Sequence, residues 1–313
     1  MASSKKVVLA ALFANGAIAL LKFGGWVLTG SPSMLSETYH SVSDTGNQVF
    51  LLIGLRYGEK EPSRGHPFGY GKAQFFYAFL VSVFLFGIAG WESVSHGVHA
   101  LQHPEPVGAG ESTLLGVTFP TVYVNYAVLL GAIAFESYAF RAALANMKNQ
   151  IKRHGWTGMR QAFRRTSNVT VLTALTEDAV ALGGAAIALA GIALSKATGD
   201  PIYDAVGALL IGLLLMGFAL ALAWENKRLL LGESVASEDE DLLRDAIASH
   251  ESVVHVDDLR SVFFGPERLL VTADVSFDSS LVTGDIDGEI TAIEEELKAV
   301  DDRVKTVYIE PEL

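Results

Sequence analysis

The sequence predicts a six-helix α-helical membrane protein followed by a small C-terminal cytoplasmic α+β domain, and three observations predict it. Half of the 313 residues are hydrophobic and the mean hydropathy is +0.34, too apolar for an ordinary soluble chain. The apolar residues gather into six runs of roughly bilayer-crossing length. The net charge of −12 is divided unevenly: residues 233–313 hold 22 acidic and 6 basic residues, and the rest hold 13 acidic and 17 basic. That division separates a membrane part with basic loops, residues 1–223, from an acidic soluble part, residues 224–313. Cysteine is absent, which excludes a disulfide framework, a thiolate metal site and a dithiol redox motif. The acidic part would repel phosphates, so nucleic acid is excluded as a partner.

The apolar runs lie near residues 7–28, 33–56, 74–100, 116–145, 168–195 and 202–223. Met1-Ala2-Ser3-Ser4-Lys5-Lys6 runs into the first of them with no small-residue cleavage site, so that run reads as a retained helix and not a signal peptide. Cations follow the even-numbered spans: Arg56, Lys60, Arg64 and Lys72 after the second, Lys148 to Arg165 after the fourth, Lys227 and Arg228 after the sixth. The odd-side loops hold only Lys196. The positive-inside rule therefore places both termini in the cytoplasm, in a multi-pass protein read as resident in a prokaryotic cell membrane. In the tail, Ser237-Glu238-Asp239-Glu240 opens a helix with an acidic first turn. Residues 253–264 and 267–277 read as strands joined at Gly265-Pro266, residues 285–300 as a helix and 304–309 as a last strand. This αββαβ order is that of a small ferredoxin-like layer. So small a domain is marginal alone, which favours a homodimer. Few lysines, many carboxylates and no cysteine also fit a salt-rich cytoplasm.

The spans hold ionisable residues, which are costly at membrane depth and mark ion or proton pathways. Glu37, His40 and Asp44 recur at helical spacing on one face of the second span. An imidazole with carboxylates suits Zn²⁺ and related cations; the plainer reading is a polar face that joins helices. The fifth span carries Glu177 and Asp178 side by side. Adjacent residues diverge by about 100° on a helix, so only one of them shares a site easily with the second span. A cation between His40, Asp44 and one of the pair would have three protein ligands and an exchangeable fourth position. The plainer reading pairs these carboxylates with a cation of a neighbouring helix, such as Lys22. His96, His99 and His103 cluster at the non-cytoplasmic side, as a collecting site or a solvated set. Glu92 and Glu136 read as packing or proton-path residues.

The pattern Glu37-x-x-His40-x-x-x-Asp44-x-x-Asn47-Gln48, the loop His66-Pro67-Phe68-Gly69-Tyr70-Gly71-Lys72, the sixth-span Asp204 and Gly212 and the αββαβ tail resemble the cation diffusion facilitators over nearly the whole chain. The resemblance implies a homodimeric exporter of divalent metals in exchange for protons, with a tetrahedral site shared between the second and fifth spans. By position it implies His40, Asp44 and Asp178 as ligands, with Glu177 as the alternate. Zinc members have a histidine four residues before the fifth-span aspartate. Here that position is Ala174, which Glu177, Thr173 or a water would have to replace. The Glu-Asp pair resembles one branch of the family. The loop site of some relatives is altered, with Ser63 and Tyr70 at two of its positions and His66 retained, so His66 is expected to serve as a loop hydrogen-bonder. In the tail the metal positions of relatives fall near Asp257, Ala273, Asp285 and Tyr308, with Glu310 close by, where an acidic solvated face is expected.

The leading functional expectation is thus export of Zn²⁺ against protons. Mn²⁺, Fe²⁺ or Co²⁺ become reasonable because losing an imidazole hardens the site. Protons compete with metal for the same histidine and carboxylate atoms, which supplies the coupling. No Gly-rich phosphate loop is present, so no ATP-driven step or enzymatic activity is expected. The alternatives are a metal-responsive membrane sensor or scaffold, and a channel.

Overall fold

The computed structural model describes residues 2–105, 111–114, 117–166 and 169–312. Its elements run α1 (Ala2–Thr29), α2 (Pro32–Gly58), α3 (Ala73–Phe84), a π-helical stretch (Leu85–Gly90), α4 (Trp91–Gln102), β1 (Glu111–Leu114), β2 (Val117–Pro120), α5 (Val122–Arg153), α6 (Met159–Arg165), α7 (Val169–Thr198) and α8 (Ile202–Leu231). Then follow α9 (Ser237–Ala248), β3 (Val253–Gly265), β4 (Arg268–Phe277), α10 (Thr283–Val300) and β5 (Val304–Glu312). The chain divides into two compact units. One comprises residues 1–53, 77–155 and 170–225, the other residues 54–76, 156–169 and 226–313.

The first unit is helical, and it turns its polar residues inward. Phe13, Leu20 and Leu220 are among its most exposed side chains, whereas Lys22, Glu37 and His40 are fully buried. That inversion suits an apolar solvent. Among the described residues, five helices are long and apolar enough to cross a membrane: α1 from Leu12, the α3–α4 run, α5, α7 from Ala174, and α8. The remaining long helix, α2, has 27 residues, about 40 Å at 1.5 Å per residue. It falls short in apolarity where six runs were expected to qualify, because it concentrates the polar residues of the unit. Its start is well specified. Gly30 takes a left-handed φ of 67° that ends α1. Pro32 occupies the first helical position of α2, and the Ser31 hydroxyl accepts the Met34 N–H at 3.2 Å as an N-cap.

Close helix crossings are made by glycine. A Cβ added at Gly97 would lie 2.6 Å from the Leu209 nitrogen, and one at Gly212 would lie 2.6 Å from the Val94 nitrogen. The backbones of α4 and α8 therefore touch, a packing mode that membrane helices use in the absence of a hydrophobic drive between them. Met34, Leu85, Leu129, Ala188, Ile211 and Leu215 are part of the apolar core. Three features depart from the expected spans. The third is interrupted by the π stretch, residues 117–120 pair with β1 as a hairpin and not as the start of the fourth span, and the short α6 precedes the fifth.

The second unit contains the expected αββαβ order. The sheet order is β3-β4-β5, with β3 antiparallel and β5 parallel to β4. Leu243 and Ile247 of α9, Ile293 and Leu297 of α10, and Val271 and Val275 of β4 are buried in its core. Arg303 is almost fully buried and donates to Asp301 at 2.6 Å and Asp239 at 2.9 Å. Burial works against its charge, but the hydrogen bonds and charges of these two carboxylates outweigh it and hold the guanidinium above its ordinary pKa. Within this unit Phe68 stacks on Phe264 with centroids 4.7 Å apart, and the Gly71 backbone abuts that of Gly265.

Candidate metal centre

Helical spacing lays Ser33, Ser36, Glu37, His40, Asp44 and Asn47 of α2 along one buried side of the helix. Within it, His40 Nδ1 lies 3.4 Å from Asp44 Oδ1, without the geometry of a hydrogen bond. Neither His40 ring nitrogen has a hydrogen-bond partner, and neither has Asp44 Oδ1. Two metal-type side chains one turn apart are thus buried with uncommitted lone pairs. Buried polar atoms are nearly always satisfied, so such a set demands an explanation.

One turn beyond Asp44, Asn47 Nδ2 donates to Glu177 Oε1 at 2.7 Å and ties α7 to α2. Glu177 is buried and Asp178 is half-buried. Asp44 lies within electrostatic reach of Glu177 and of Glu136 on α5, and Glu136 also acts on Asp178. These carboxylates share one neighbourhood. Among the described residues, however, no three histidine or carboxylate groups converge on one point. His40 and Asp44 are brought together; Glu177 is engaged by Asn47, and Asp178 stands beside it. Ala174, half-buried, is one turn before Asp178, and the Thr173 side chain lies outside the described residues.

The cation expected as an alternative partner of the fifth-span carboxylates pairs elsewhere. Lys22 Nζ donates to Glu37 Oε2 at 2.7 Å and to Ser41 Oγ at 2.9 Å, with both charged side chains fully buried. Glu37, the weaker ligand candidate of this face, thus gives one oxygen to Lys22, while its other oxygen, Oε1, is buried without a hydrogen-bond partner and abuts Gly184 of α7. A second buried cluster was not foreseen. Asp204 of α8 accepts from Ser31 Oγ at 2.7 Å through its carboxylate and from Ser33 Oγ at 2.7 Å through its backbone oxygen. The run Ser31-Pro32-Ser33 before the second span was its sequence signal.

The remaining candidates lie apart. His66 is exposed, exchanges backbone hydrogen bonds with Ser63, and stacks on Tyr70 with centroids 4.3 Å apart. Ser63 and Tyr70, at the altered loop positions, meet each other at 3.1 Å. Asp257 accepts from Ser276 Oγ at 2.7 Å on β3, Asp285 is in the first turn of α10, and Glu310 pairs in register with Asp274 on β5. All three are exposed on separate elements, and no metal-type group of three forms among the described residues.

A family model for the cation efflux transmembrane domain matches residues 8–231. The chain is 31% identical over 279 residues to the proton-coupled zinc antiporter SLC30A9, mitochondrial, of Homo sapiens, covering 89% of this chain and 47% of that protein. It is 28% identical to metal tolerance protein C4 of Arabidopsis thaliana, covering 89% and 58%. It is 27% identical to the cation-efflux pump FieF of Escherichia coli, covering 85% and 78%. The chain spans about half the length of the first two of these relatives.

Proposed function

The chain belongs to the cation efflux family, and on that premise we propose that it is a secondary transporter. Its cargo is a divalent cation, Zn²⁺ first, carried out of the cytoplasm in exchange for protons. The observation that carries this reading is the buried His40–Asp44 pair with its uncommitted lone pairs. A dehydrated divalent cation satisfies those atoms, whereas a structural role would have left them hydrogen-bonded. A carboxylate of α7 supplies the third ligand, Asp178 by its position and Glu177 as the alternate. Closing the site requires α7 to bring one of them onto His40 and Asp44, which is the motion that alternating access demands. Protons enter the cycle at the same atoms, because metal needs neutral imidazole and ionised carboxylate. Zinc is the cargo named for one relative, and the imidazole favours it. Ala174 in place of a second histidine favours Mn²⁺, Fe²⁺ or Co²⁺ as a second reading.

The basic loops after the second, fourth and sixth spans support cytoplasmic termini, and the acidic αββαβ unit is then the cytoplasmic domain of a homodimer. The test is flux. The purified chain is placed in liposomes containing a metal-sensitive dye, with and without a pH gradient, and supplied in turn with Zn²⁺, Mn²⁺, Fe²⁺ and Co²⁺. Zinc entry driven by the gradient and accompanied by counter-movement of protons is expected. Zinc entry with no pH change would favour a channel, and no entry of any metal would favour a sensor or scaffold.

A further inference from the structure

Three histidines in and directly after α4 take no part in the site above. Glu92, His96 and His99 follow one another at steps of four and three residues, which lays them along one stripe of the helix, and His103, four residues after His99, is the residue that caps it. The stripe begins against α2. The Tyr39 hydroxyl is 3.3 Å from His96 Nε2, the two ring centroids are 5.8 Å apart, and the charge of Glu92 acts on Tyr39. Tyr39 is the sequence neighbour of His40. The stripe ends in the open: His99 and His103 are exposed, with ring centroids 4.7 Å apart and planes 30° from parallel.

We propose that His99 and His103 form a second divalent-cation site, taking borderline ions such as Zn²⁺ or Ni²⁺ where α4 leaves the membrane. Its role as a release station for ions leaving the α2 site rests on the transport reading; the binding itself does not. Two imidazoles held side by side can both ligate one zinc ion. Tetrahedral zinc at about 2.0–2.1 Å from each nitrogen separates them by about 3.3 Å, a span that imidazoles with centroids 4.7 Å apart can bridge by rotation. His103 caps α4, its N–H bonded to His99 O at 2.9 Å, so both rings sit at the helix end whose partial negative charge attracts cations. Two protein ligands leave the other positions to water. The site is therefore labile, as a station that hands ions on must be. An imidazole pair also selects: it holds Zn²⁺ and Ni²⁺ well and Mn²⁺ poorly.

The experiment separates this site from the first. The full chain carrying Asp44→Ala, in nanodiscs, is titrated with isotope-labelled Zn²⁺ by equilibrium dialysis, beside the same chain with His99→Ala and His103→Ala added. The Asp44→Ala chain is expected to retain a saturable zinc site that the added substitutions abolish, and to bind Mn²⁺ roughly tenfold or more weakly than Zn²⁺. A His66→Ala control should leave that site in place. Equal zinc binding with and without the histidine pair overturns the proposal. Because the readout is binding and not flux, a native chain that carries no metal in liposomes defeats the transport reading and leaves this result to be judged by itself.

Discussion

Lys22→Met tests the assignment of Glu37 to helix pairing. Lys22 and Glu37 are both fully buried, with Nζ 2.7 Å from one carboxylate oxygen and 2.9 Å from Ser41. Methionine keeps most of the stem's volume and removes the ammonium, leaving the Glu37 carboxylate without its counter-charge. Removing one partner of a buried ion pair costs about 3–5 kcal/mol. At about 1.4 kcal/mol per factor of ten, that is a shift of roughly a hundred- to several-thousand-fold in the folding equilibrium. Adding Glu37→Gln removes the second charge, and the double variant should recover more than half of the loss, since neutral residues of similar volume replace buried pairs at little cost. The assay is thermal unfolding in nanodiscs followed by tryptophan fluorescence, with zinc binding measured on each variant below its transition. A single variant that melts with the native chain refutes the reasoning, and so does a double variant less stable than the single one. A Glu37→Gln chain that keeps its stability but loses zinc would return Glu37 to the ligand set.

Four further outcomes are expected. Asp44→Ala should abolish zinc flux in liposomes while the protein elutes from size-exclusion chromatography as the native chain does, because it removes a charged ligand and no packing volume of consequence. Asp178→Ala should also abolish flux; retained flux there, with loss in Glu177→Ala, would show that the carboxylate held by Asn47 is the ligand. Ala174→His should tighten zinc binding in titration calorimetry by roughly tenfold or more, by restoring an imidazole one turn before Asp178; unchanged affinity would place that face of α7 away from His40. Arg303→Met should leave Asp239 and Asp301 without their shared partner at a cost of up to about 3 kcal/mol, read as faster hydrogen exchange in α9 and β5 with the exchange of α2 unaffected.

Much of the fold was legible because membrane spans and strands announce themselves by period and length. The tail hairpin follows from Gly265-Pro266, between β3 and β4. What escaped notice depends on contacts between distant residues. The π stretch in the third span lies in an apolar run that reads as continuous helix. The β1–β2 hairpin was absorbed into the fourth span because Val117, Phe119 and the residues after them are as apolar as a helix start. At the site, His40 and Asp44 were legible because four-residue spacing fixes their proximity on one helix. Whether Glu177 or Asp178 faces them was not, since that depends on the rotation of α7 against α2. The side-chain bond from Asn47 records that rotation, and no spacing rule predicts it. The pairing of Lys22 with Glu37 is not legible in the sequence, because it depends on how α1 lies along α2.

The polarity of α2 is what makes it a poor membrane span by composition and an essential one by position. A helix in lipid can carry such residues only where the protein satisfies them. Most of the stripe is satisfied: Ser31 and Ser33 on Asp204, Thr38 on the Met34 carbonyl, Ser41 on Lys22, Asn47 on Glu177. The atoms left without partners on this helix gather mainly between Ser36 and Asp44, and they include both nitrogens of the one histidine. A packing interface would have no reason to leave its strongest acceptors uncommitted beside groups so fully satisfied. A site that must take up a dehydrated cation and let it go has such a reason, because donors tied down by permanent hydrogen bonds would have to be freed at every passage. The distribution of partners along α2, more than the presence of histidine and aspartate in it, therefore supports the cargo site proposed at His40 and Asp44.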